Sequence, residues 1–385
     1  MRLLWVAPIE FGKMVHQVGE IGTADALRRR GWDIEFLSID SGDEGKNFMR
    51  ERGFITHTIS KSKFPGLGDL TFNRAIIKRL PVLLESGNFD AILVEWAGAL
   101  GVRRALKRFA KAGGTPPPFL FEDRSPPADP SLVGRMQWLH YDLSWRIAAR
   151  DADSIEVLVP GLETFVRSRF GDLPPMVHCP SGVEVERFKA TESELGNPIR
   201  LVYHGRLDRN RGLSRIVELG RRLVENGLEV RVRIFGRGPQ SNYFEKEASR
   251  YDWLEFLGEV EFHEVAGLVA ENDFGILPLP DELPWRVGSP LKLMEYSASG
   301  LCVLGTDVDG CIPYADLPWV HLSPSSDPVP DWISRIHDAV RERIGFPALR
   351  KFARQGAESK LTWDCAVEDL HQELVRMALD YPRGN

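Results

Sequence analysis

The stretch GSPLKLMEYSASGLCVLGTD, residues 288–307, contains the pattern that decides the fold, because a short helix is followed at once by a strand. Ser289 is a favourable N-cap, Pro290 suits the first helical position, and Gly300 suits the residue after the helix. The run LCVLGT is typical of a β-strand. Glu295 lies five residues after Pro290, about 7 Å along the helix axis. Since helix starts attract anions, the stretch favours a ligand with a charged end beside a hydroxylated part.

The same alternation of strand and helix occurs in two series along the 385-residue chain. The first series of apolar runs is RLLWVAP, WDIEFLSI, FITHTI, FDAILVEW, PFLFED and SIEVLV. The second is IRLVYHG, VRVRIFG, LEFLGEV, DFGILPLP, LCVLGT and WVHLSP. Helical segments such as 23–30 and 102–112 lie between the runs. This alternation predicts an α/β protein with two Rossmann-like, doubly wound domains that face each other across a cleft.

Composition excludes several classes of protein. The four cysteines show no CxxC or other close spacing, which favours a reduced cytoplasmic protein without a disulfide framework or zinc site. No stretch approaches 18 apolar residues, so the sequence predicts no membrane-spanning helix. The net charge is −6, and we find no basic motif interleaved with aromatic residues, so nucleic acid is not an expected partner.

Residues 61–111 are basic, with ten lysine and arginine residues against four carboxylates. Such a segment attracts an anionic surface, so a peripheral contact with the inner membrane surface is one expectation. Solvated helix faces are the simpler explanation. The sequence does not indicate an oligomeric state.

Residues that suggest anion chemistry follow two predicted strands of the second series. In LVYHGRLDRNRGL the strand ends at Gly205, and Arg206 and Arg211 flank the turn before a helix. Two guanidiniums at a helix start form a clamp for a diphosphate, although ordinary surface arginines are the alternative. In FGRGPQS, Gly236 and Gly238 would let a ligand approach the backbone. This run lacks the third glycine of a dinucleotide fingerprint, so a nicotinamide enzyme is not favoured.

Taken together, these motifs resemble a known family. The runs GRLDRNRGL, FGRGP, FLGEV with DFGILPLP, and SPLKLMEYSASGLCVLGTDVDG occur in the order found in GT-B glycosyltransferases of family 4, the group 1 nucleotide-sugar enzymes. The resemblance covers about residues 150–325 and is weaker in the first domain. It implies an acceptor-binding domain over 1–180 and a nucleotide-sugar-binding domain over 181–361. It also implies that a C-terminal helix, 362–385, crosses back to the first domain.

The resemblance assigns roles to individual residues of the second domain. Arg206 and Arg211 would hold the donor diphosphate and stabilise the charge that develops on it, while Glu295 would accept hydrogen bonds from the ribose hydroxyls. A surface glutamate paired with a lysine or arginine is the alternative for Glu295. Gly205, Gly236 and Gly238 would line the donor site. The backbone at the helix start would meet the phosphates through Ser289, Pro290, Leu291 and Lys292.

The sequence departs from the family pattern in two places. Val287 stands where many members carry a second glutamate that touches the donor sugar. Asp281, Glu282 or Arg286 would substitute for it, and the sequence does not select one, so the identity of the donor sugar is not predicted. After the fifth strand of the first domain, where relatives often have a His-Asp pair, this chain has Glu122 and Asp123. Either carboxylate would position the acceptor hydroxyl, or would form a structural salt bridge with Arg124.

Further expectations concern the first loop and metal ions. The loop after the first strand would face the acceptor through Gly12 and His16, although a solvated loop histidine is the alternative. The run DVDG, Asp307 to Gly310, has the form of a metal-binding motif, but a turn explains it better. Because the arginines already neutralise a diphosphate, we expect no metal requirement and no cofactor.

The sequence thus predicts a hexosyltransferase-type glycosyltransferase (EC 2.4). It would move a sugar from a nucleoside diphosphate sugar to an acceptor hydroxyl, and the resemblance implies retention of configuration. Two alternatives stay open at this point. One is a nucleotide-sugar epimerase on the same fold, and the other is a catalytically degenerate nucleotide-binding module.

Overall fold

The computed structural model describes residues 1–12, 17–64, 67–129, 131–190 and 193–380. Within these ranges the chain forms two compact units, Met1–Pro180 with Ala366–Asn385, and Ser181–Cys365. None of the described helices is both long enough and apolar enough to cross a membrane.

Unit 1 is built on a parallel sheet of seven strands in the order β3-β2-β1-β4-β5-β6-β7. Parallel neighbours need a crossover connection, which here is supplied by helices. All six predicted runs are strands, and the seventh strand, the short β7, was not predicted. The strands are β1 (Arg2–Val6), β2 (Asp33–Ile39), β3 (Ile55–Ile59), β4 (Ala91–Glu95), β5 (Phe119–Asp123), β6 (Ser154–Val157) and β7 (Met176–His178). The helices are α1 (Val18–Arg29), α2 (Gly42–Glu51), α3 (Gly68–Ser86), α4 (Ala99–Lys111), α5 (Leu132–Asp151) and α6 (Pro160–Phe170).

Unit 2 is built on a parallel sheet of six strands in the order β10-β9-β8-β11-β12-β13. All six predicted runs of the second series are strands. They are β8 (Ile199–His204), β9 (Val230–Phe235), β10 (Leu254–Phe256), β11 (Phe274–Leu277), β12 (Cys302–Thr306) and β13 (Val320–Ser323). The helices are α7 (Ser214–Glu225), α8 (Ser241–Ala248), α9 (Val265–Ala270), α10 (Leu283–Arg286), α11 (Leu291–Ala298), α12 (Val329–Arg341) and α13 (Phe346–Lys360).

Apolar side chains cover both faces of the unit 2 sheet. One core cluster contains residues of α7, α8 and α12, and the other contains residues of α9, α11 and α13. A buried ion pair ties α13 to the sheet, because Arg350 Nη1 donates to Asp273 Oδ1 over 3.1 Å. Arg200 Nη2 donates to the same oxygen over 2.8 Å. This double pairing compensates the desolvation of Asp273.

The end of the described chain returns to unit 1. The predicted C-terminal helix, 362–385, is divided in the described residues into α14 (Trp363–Ala366) and α15 (Glu368–Asp380), with Val367 between them. The indole nitrogen of Trp32 donates to His371 Nδ1 over 3.0 Å and fixes α15 to unit 1. The apolar side chains of this segment are buried at Trp363, Val367, Leu370, Leu374 and Met377. The final part of the predicted helix, 381–385, lies outside the described residues.

Candidate functional site

Two glycines bring together the loops that follow β8 and β9. Gly236 has a φ of 131°, and a Cβ on it would lie 1.9 Å from the carbonyl oxygen of Gly205. Its amide donates to the carbonyl of Gly258 over 2.7 Å, while the amide of Gly238 donates to Ser241 Oγ over 3.2 Å. Position 236 therefore requires glycine, because the backbones of the two loops are in contact there. The predicted approach of a ligand to these glycines stays a prediction.

The turn after Gly205 holds both predicted arginines on one carboxylate. Arg206 donates to Asp208 through Nη2 over 2.9 Å and through Nε over 3.1 Å. Arg211 Nε donates to Asp208 Oδ2 over 3.0 Å, and its guanidinium lies 4.0 Å from the centroid of the Trp285 ring. Burial raises the pKa of Asp208, but the two arginines outweigh it and hold the pKa below its usual value. Asp208, which sequence reasoning missed, therefore orients the clamp as an ionised group.

Lys292 on α11 adds a third cation to this place. A Cβ on Gly205 would lie 3.0 Å from Lys292 Nζ, so the ammonium lies directly against the loop after β8. Nζ also lies 5.6 Å from the centroid of the Tyr203 ring. Burial, together with the guanidinium of Arg211, lowers the pKa of Lys292 to about 8. Cations held this closely are stabilised by a bound anion.

Glu295, one turn along α11, is buried beside His204, the last residue of β8. The carboxylate Oε2 lies 3.1 Å from His204 Nε2, which is an ion-pair distance, although the angle is outside hydrogen-bond geometry. Burial raises the pKa of Glu295. The neighbouring His204, Lys292 and Arg187 outweigh burial, so the pKa lies below its usual value. Glu295 is therefore an ionised acceptor at neutral pH, and burial excludes the alternative of a surface residue.

The start of α11 differs from the prediction. Pro290 stands at the N-cap, the helix begins at Leu291, and no side chain caps it. The hydroxyl of Ser289 instead accepts a hydrogen bond from the amide of Ser181 over 2.8 Å. Ser289 therefore does not cap the helix, because a neighbouring backbone segment uses its oxygen. The amide of Lys292 has no backbone acceptor outside its helix among the described residues.

We name the group of five charged residues the charged cluster: Arg206, Asp208, Arg211, Lys292 and Glu295. Its members come from the loop after β8 and from α11, and Lys292 interacts electrostatically with Arg211, Asp208 and Glu295. The predicted arginines and the predicted glutamate therefore lie at one place in unit 2. Three cations face two carboxylates there, which leaves a positive excess beside a buried acceptor.

The position of the missing family glutamate is filled by a core residue. Val287 is fully buried, so its side chain is part of the interior of unit 2. The neighbouring Arg286 pairs with Asp281 and with Asp309, at 3.4 Å in each case. Asp281 is therefore already bound to a cation, and the residue that contacts a donor sugar stays open.

The carboxylates of DVDG also have partners within the protein. Asp307 Oδ1 accepts a hydrogen bond from the amide of Ser325 over 2.7 Å, and Asp309 pairs with Arg286. The amide of Cys311 donates to the Val308 carbonyl over 2.8 Å, which closes the turn, and the amide of Gly310 donates to the Arg286 carbonyl over 2.7 Å. Among the described residues, no group of three histidine, cysteine or acidic residues is placed to hold a metal ion.

In unit 1, both predicted acceptor-side carboxylates are in the interior. Asp123 is fully buried and accepts hydrogen bonds from the Tyr141 hydroxyl, at 2.5 Å, and from the Trp145 indole, at 3.0 Å. Glu122 accepts from the Trp5 indole over 2.7 Å and lies 3.2 Å from Arg124 Nε. The salt bridge with Arg124, the alternative interpretation, is thus present. In this geometry both carboxylates support the fold, and contact with an acceptor hydroxyl stays a prediction.

Three glutamates form a ladder across unit 1 that the sequence did not reveal. Glu95 on β4 is the register partner of Glu122 on β5, which is the register partner of Glu156 on β6. Among the described residues, no donor hydrogen-bonds to the buried carboxylate oxygens of Glu156, and the carboxyl group of Glu122 lies close to them. Burial raises the pKa of Glu122 to about 7 and raises the pKa values of Glu95 and Glu156 well above the usual range. Arg124 is the nearest compensating cation.

The first loop of unit 1 is described only in part. Gly12 has a φ of 90°, and its amide donates to Gln17 Oε1 over 3.0 Å. His16 lies outside the described residues. The acceptor-side role predicted for both residues therefore stays a prediction.

Comparisons of the sequence with known proteins give matches to glycosyltransferases. Residues 198–335 match the family model described as "Glycosyl transferases group 1". This range contains all five residues of the charged cluster. WcaL of Escherichia coli strain K12, which carries the provisional name of a colanic acid biosynthesis glycosyltransferase, is 30% identical over 130 residues. That alignment covers 32% of this chain and 32% of WcaL, so the chain matches about a third of the curated relative.

Solved structures establish the fold. Sucrose-phosphate synthase from Thermosynechococcus elongatus superposes with a TM-score of 0.75 at 14% identity, over 98% of this chain and 99% of that one. Anabaena HepE in complex with UDP superposes with a TM-score of 0.73 at 13% identity, over 98% of this chain and 100% of HepE. The chain therefore has two Rossmann-like α/β domains that match GT-B glycosyltransferases, as the sequence predicts. At these identities the likeness concerns the fold alone.

Proposed function

We propose that the protein is a glycosyltransferase that moves a sugar from a nucleoside diphosphate sugar to an acceptor hydroxyl. The observation that carries the proposal is the charged cluster, where Arg206, Arg211 and Lys292 lie together beside the buried Glu295. The match of residues 198–335 to group 1 glycosyltransferases supports it. HepE, which has the same fold, has been crystallised with UDP and with UDP-glucose. Uridine nucleotides with a hexose are therefore the first donors to test.

The chemistry of the charged cluster suits the two parts of such a donor. Guanidinium and ammonium groups bind a diphosphate through charge-assisted hydrogen bonds. Asp208 holds both arginines in place before the ligand arrives, which reduces the ordering cost of binding. Glu295, ionised and shielded from water, accepts hydrogen bonds from two ribose hydroxyls. A nucleoside diphosphate carries these two features next to each other.

In the transfer step no side chain of unit 2 forms a covalent bond with the sugar. The bond from the anomeric carbon to the diphosphate oxygen breaks, and a bond from that carbon to the acceptor oxygen forms. The acceptor proton passes to the leaving diphosphate, which departs as the nucleoside diphosphate. We infer that this occurs on one face of the sugar, with retention of configuration. The cations would stabilise the negative charge of the leaving group.

Three cations at the diphosphate also support a reaction without a metal ion. Transfer is therefore expected to continue in the presence of EDTA. We place the protein in the cytoplasm, since its four cysteines are unpaired, as is typical of a reducing compartment.

The proposal is tested first by thermal-shift measurements with nucleoside diphosphates and their sugars. The best donor is then incubated with candidate hydroxyl acceptors. NMR of the product reports its anomeric configuration. We expect stabilisation by one nucleoside diphosphate, and product formation with the matching sugar.

Variants connect the activity with the charged cluster. Arg206→Ala removes a charged donor worth about 2 kcal/mol, so nucleotide affinity is expected to fall roughly 30-fold. Arg221→Ala is the matched control, because this arginine is exposed on α7 and pairs with Glu225. Unchanged turnover in Arg206→Ala would contradict the assignment. Nucleotide binding without transfer to any acceptor would instead indicate a non-catalytic module.

A further inference from the structure

Unit 1 exposes a group of large apolar side chains around the N-terminal ends of α3 and α5. These two ends are joined by Asp69, whose carboxylate lies 3.1 Å from Lys61 Nζ and 3.2 Å from His140 Nδ1. A groove of about 390 Å³ at this place is lined by Phe64, Leu70 and Met136 together with polar side chains that include Lys61, Asp69 and His140. The exposed apolar residues, with their exposed fractions, are Phe64 (70%), Leu67 (45%), Leu70 (54%), Met136 (58%), Leu139 (73%) and Leu143 (43%).

The apolar residues of α5 follow one line along the helix. Met136, Leu139 and Leu143 are spaced by three and four residues, and the same line continues to Arg146 and Arg150. Side chains at this spacing normally cover a core, yet these are exposed. Contiguous exposed apolar groups of this kind mark an interaction site.

The helices beside this apolar group carry an excess of unpaired cations. The three helices α3, α4 and α5 are neighbours in the fold. Nine exposed lysine and arginine side chains on and next to them have no carboxylate within ion-pair distance among the described residues. Glu85 is the exposed carboxylate of α3. The nine cations are Lys63, Arg74, Lys78, Arg79, Arg104, Arg108, Lys111, Arg135 and Arg146.

We name the six apolar residues and the nine cations the apolar–basic face. We propose that the apolar–basic face binds an anionic phospholipid surface, with the six apolar side chains entering the boundary between headgroups and acyl chains. Protruding apolar groups beside unpaired cations match the two attractions of such a surface. Nucleic acid would use the cations and leave the apolar groups in water. The proposal extends the expectation for residues 61–111, because the apolar line of α5 lies outside that segment.

The proposal is tested by co-sedimentation of the full chain with vesicles. One set contains phosphatidylcholine alone, and the other contains about one third phosphatidylglycerol. We expect binding to the anionic vesicles, weakened by added salt because the cationic part of the attraction is screened. This measurement is independent of the proposed activity, since it needs neither donor nor acceptor.

Two pairs of substitutions separate the apolar and the cationic parts. Met136→Ser with Leu139→Ser is expected to weaken vesicle binding at every salt concentration, by roughly tenfold or more. Arg74→Gln with Lys78→Gln is expected to weaken binding to anionic vesicles by about fivefold for each cation. Leu379→Ser is the matched apolar control, as it is 74% exposed on α15.

All substituted side chains are exposed, so we expect every variant to fold. The melting temperature of each variant checks this expectation. Wild-type protein that stays in the supernatant with anionic vesicles would overturn the proposal. Variants that bind as tightly as the wild type would also overturn it. If Met136→Ser with Leu139→Ser dissolves an oligomer without affecting vesicle binding, the face is a protein interface and the proposal is wrong.

Discussion

Replacing Glu156 with glutamine tests whether the glutamate ladder of unit 1 makes stability depend on pH. The carboxyl group of Glu156 is fully buried, accepts no hydrogen bond from the described part of the chain, and interacts electrostatically with Glu122, Asp123, Arg124 and the thiol of Cys179. Glutamine has nearly the same shape and carries no charge. Its amide can donate to the carboxylate of Glu122 where a protonated Glu156 would donate.

The expected magnitude follows from the raised pKa values. Glu122 has a pKa of about 7 in the folded chain against a usual 4.5, which corresponds to about 3 kcal/mol. Because the folded chain holds protons that the unfolded chain has released, the free energy of unfolding decreases as the pH rises from 4.5 to 7. Well above pH 7 Glu122 is ionised in both states, and its share of the loss is complete. Burial raises the pKa of Glu156 in the same direction, so replacing this group with a neutral amide should restore about 2 kcal/mol at pH 8.

The assay is differential scanning calorimetry of wild type and Glu156→Gln between pH 5 and pH 8. At pH 8 the unit 1 transition of the variant should lie roughly 4–8 °C higher. At pH 5, where Glu156 is protonated in the wild type, the two transitions should coincide. Glu85→Gln, an exposed position on α3, is the control and should change neither value. A variant that is less stable at pH 8, or shifted equally at both pH values, would refute the reasoning.

Other consequences concern unit 2. Lys292 has a pKa of about 8, so nucleoside diphosphate affinity should decrease as the pH rises above 8, and Lys292→Gln should remove this dependence in a titration series. Gly236→Ala should lower the free energy of unfolding by more than about 2 kcal/mol, because its Cβ would overlap the backbone of Gly205. Gly267→Ala is the control and should not lower the free energy of unfolding, because its Cβ would enter open space. Arg350→Met should lower the free energy of unfolding, measured in urea, by about 3 kcal/mol, because it removes one ion-pair partner of the buried Asp273.

The strands were predictable because each buried strand is a separate apolar run bounded by turn residues. Every one of the twelve predicted runs is a strand in the structure. The short β7 was missed, since its three residues give too little pattern. The order of the strands within each sheet was not predictable, because it depends on how crossover helices pack, which no single run encodes.

The candidate site was predictable to a similar extent and for a related reason. The carboxyl ends of neighbouring parallel strands meet at one edge, so Arg206 and a helix start near Glu295 were expected close together. His204 was missed, although it directly precedes Gly205 in the strand LVYHG, because its partner is 91 positions away in the sequence. The roles of Asp208 and the Lys292 ammonium depend on the same long-range packing.

The glutamate ladder could not be predicted from any single segment of the sequence, because its three residues lie on three different strands. Glu95 is the last residue of β4, and Glu122 and Glu156 are the next-to-last residues of β5 and β6. Their meeting depends on the register of three strands. The cap of α11 was misjudged for a similar reason, since the amide of Ser181 takes the hydroxyl of Ser289.

The most direct test of the central claim combines a change in the protein with a matching change in the ligand. Isothermal titration would compare wild type and Glu295→Gln, each with UDP and with its 2′,3′-dideoxy analogue. If Glu295 accepts hydrogen bonds from the ribose, the substitution should weaken UDP binding by at least about tenfold and leave binding of the analogue nearly unchanged. Equal losses with both ligands, or no binding of any nucleoside diphosphate to the wild type, would contradict the account.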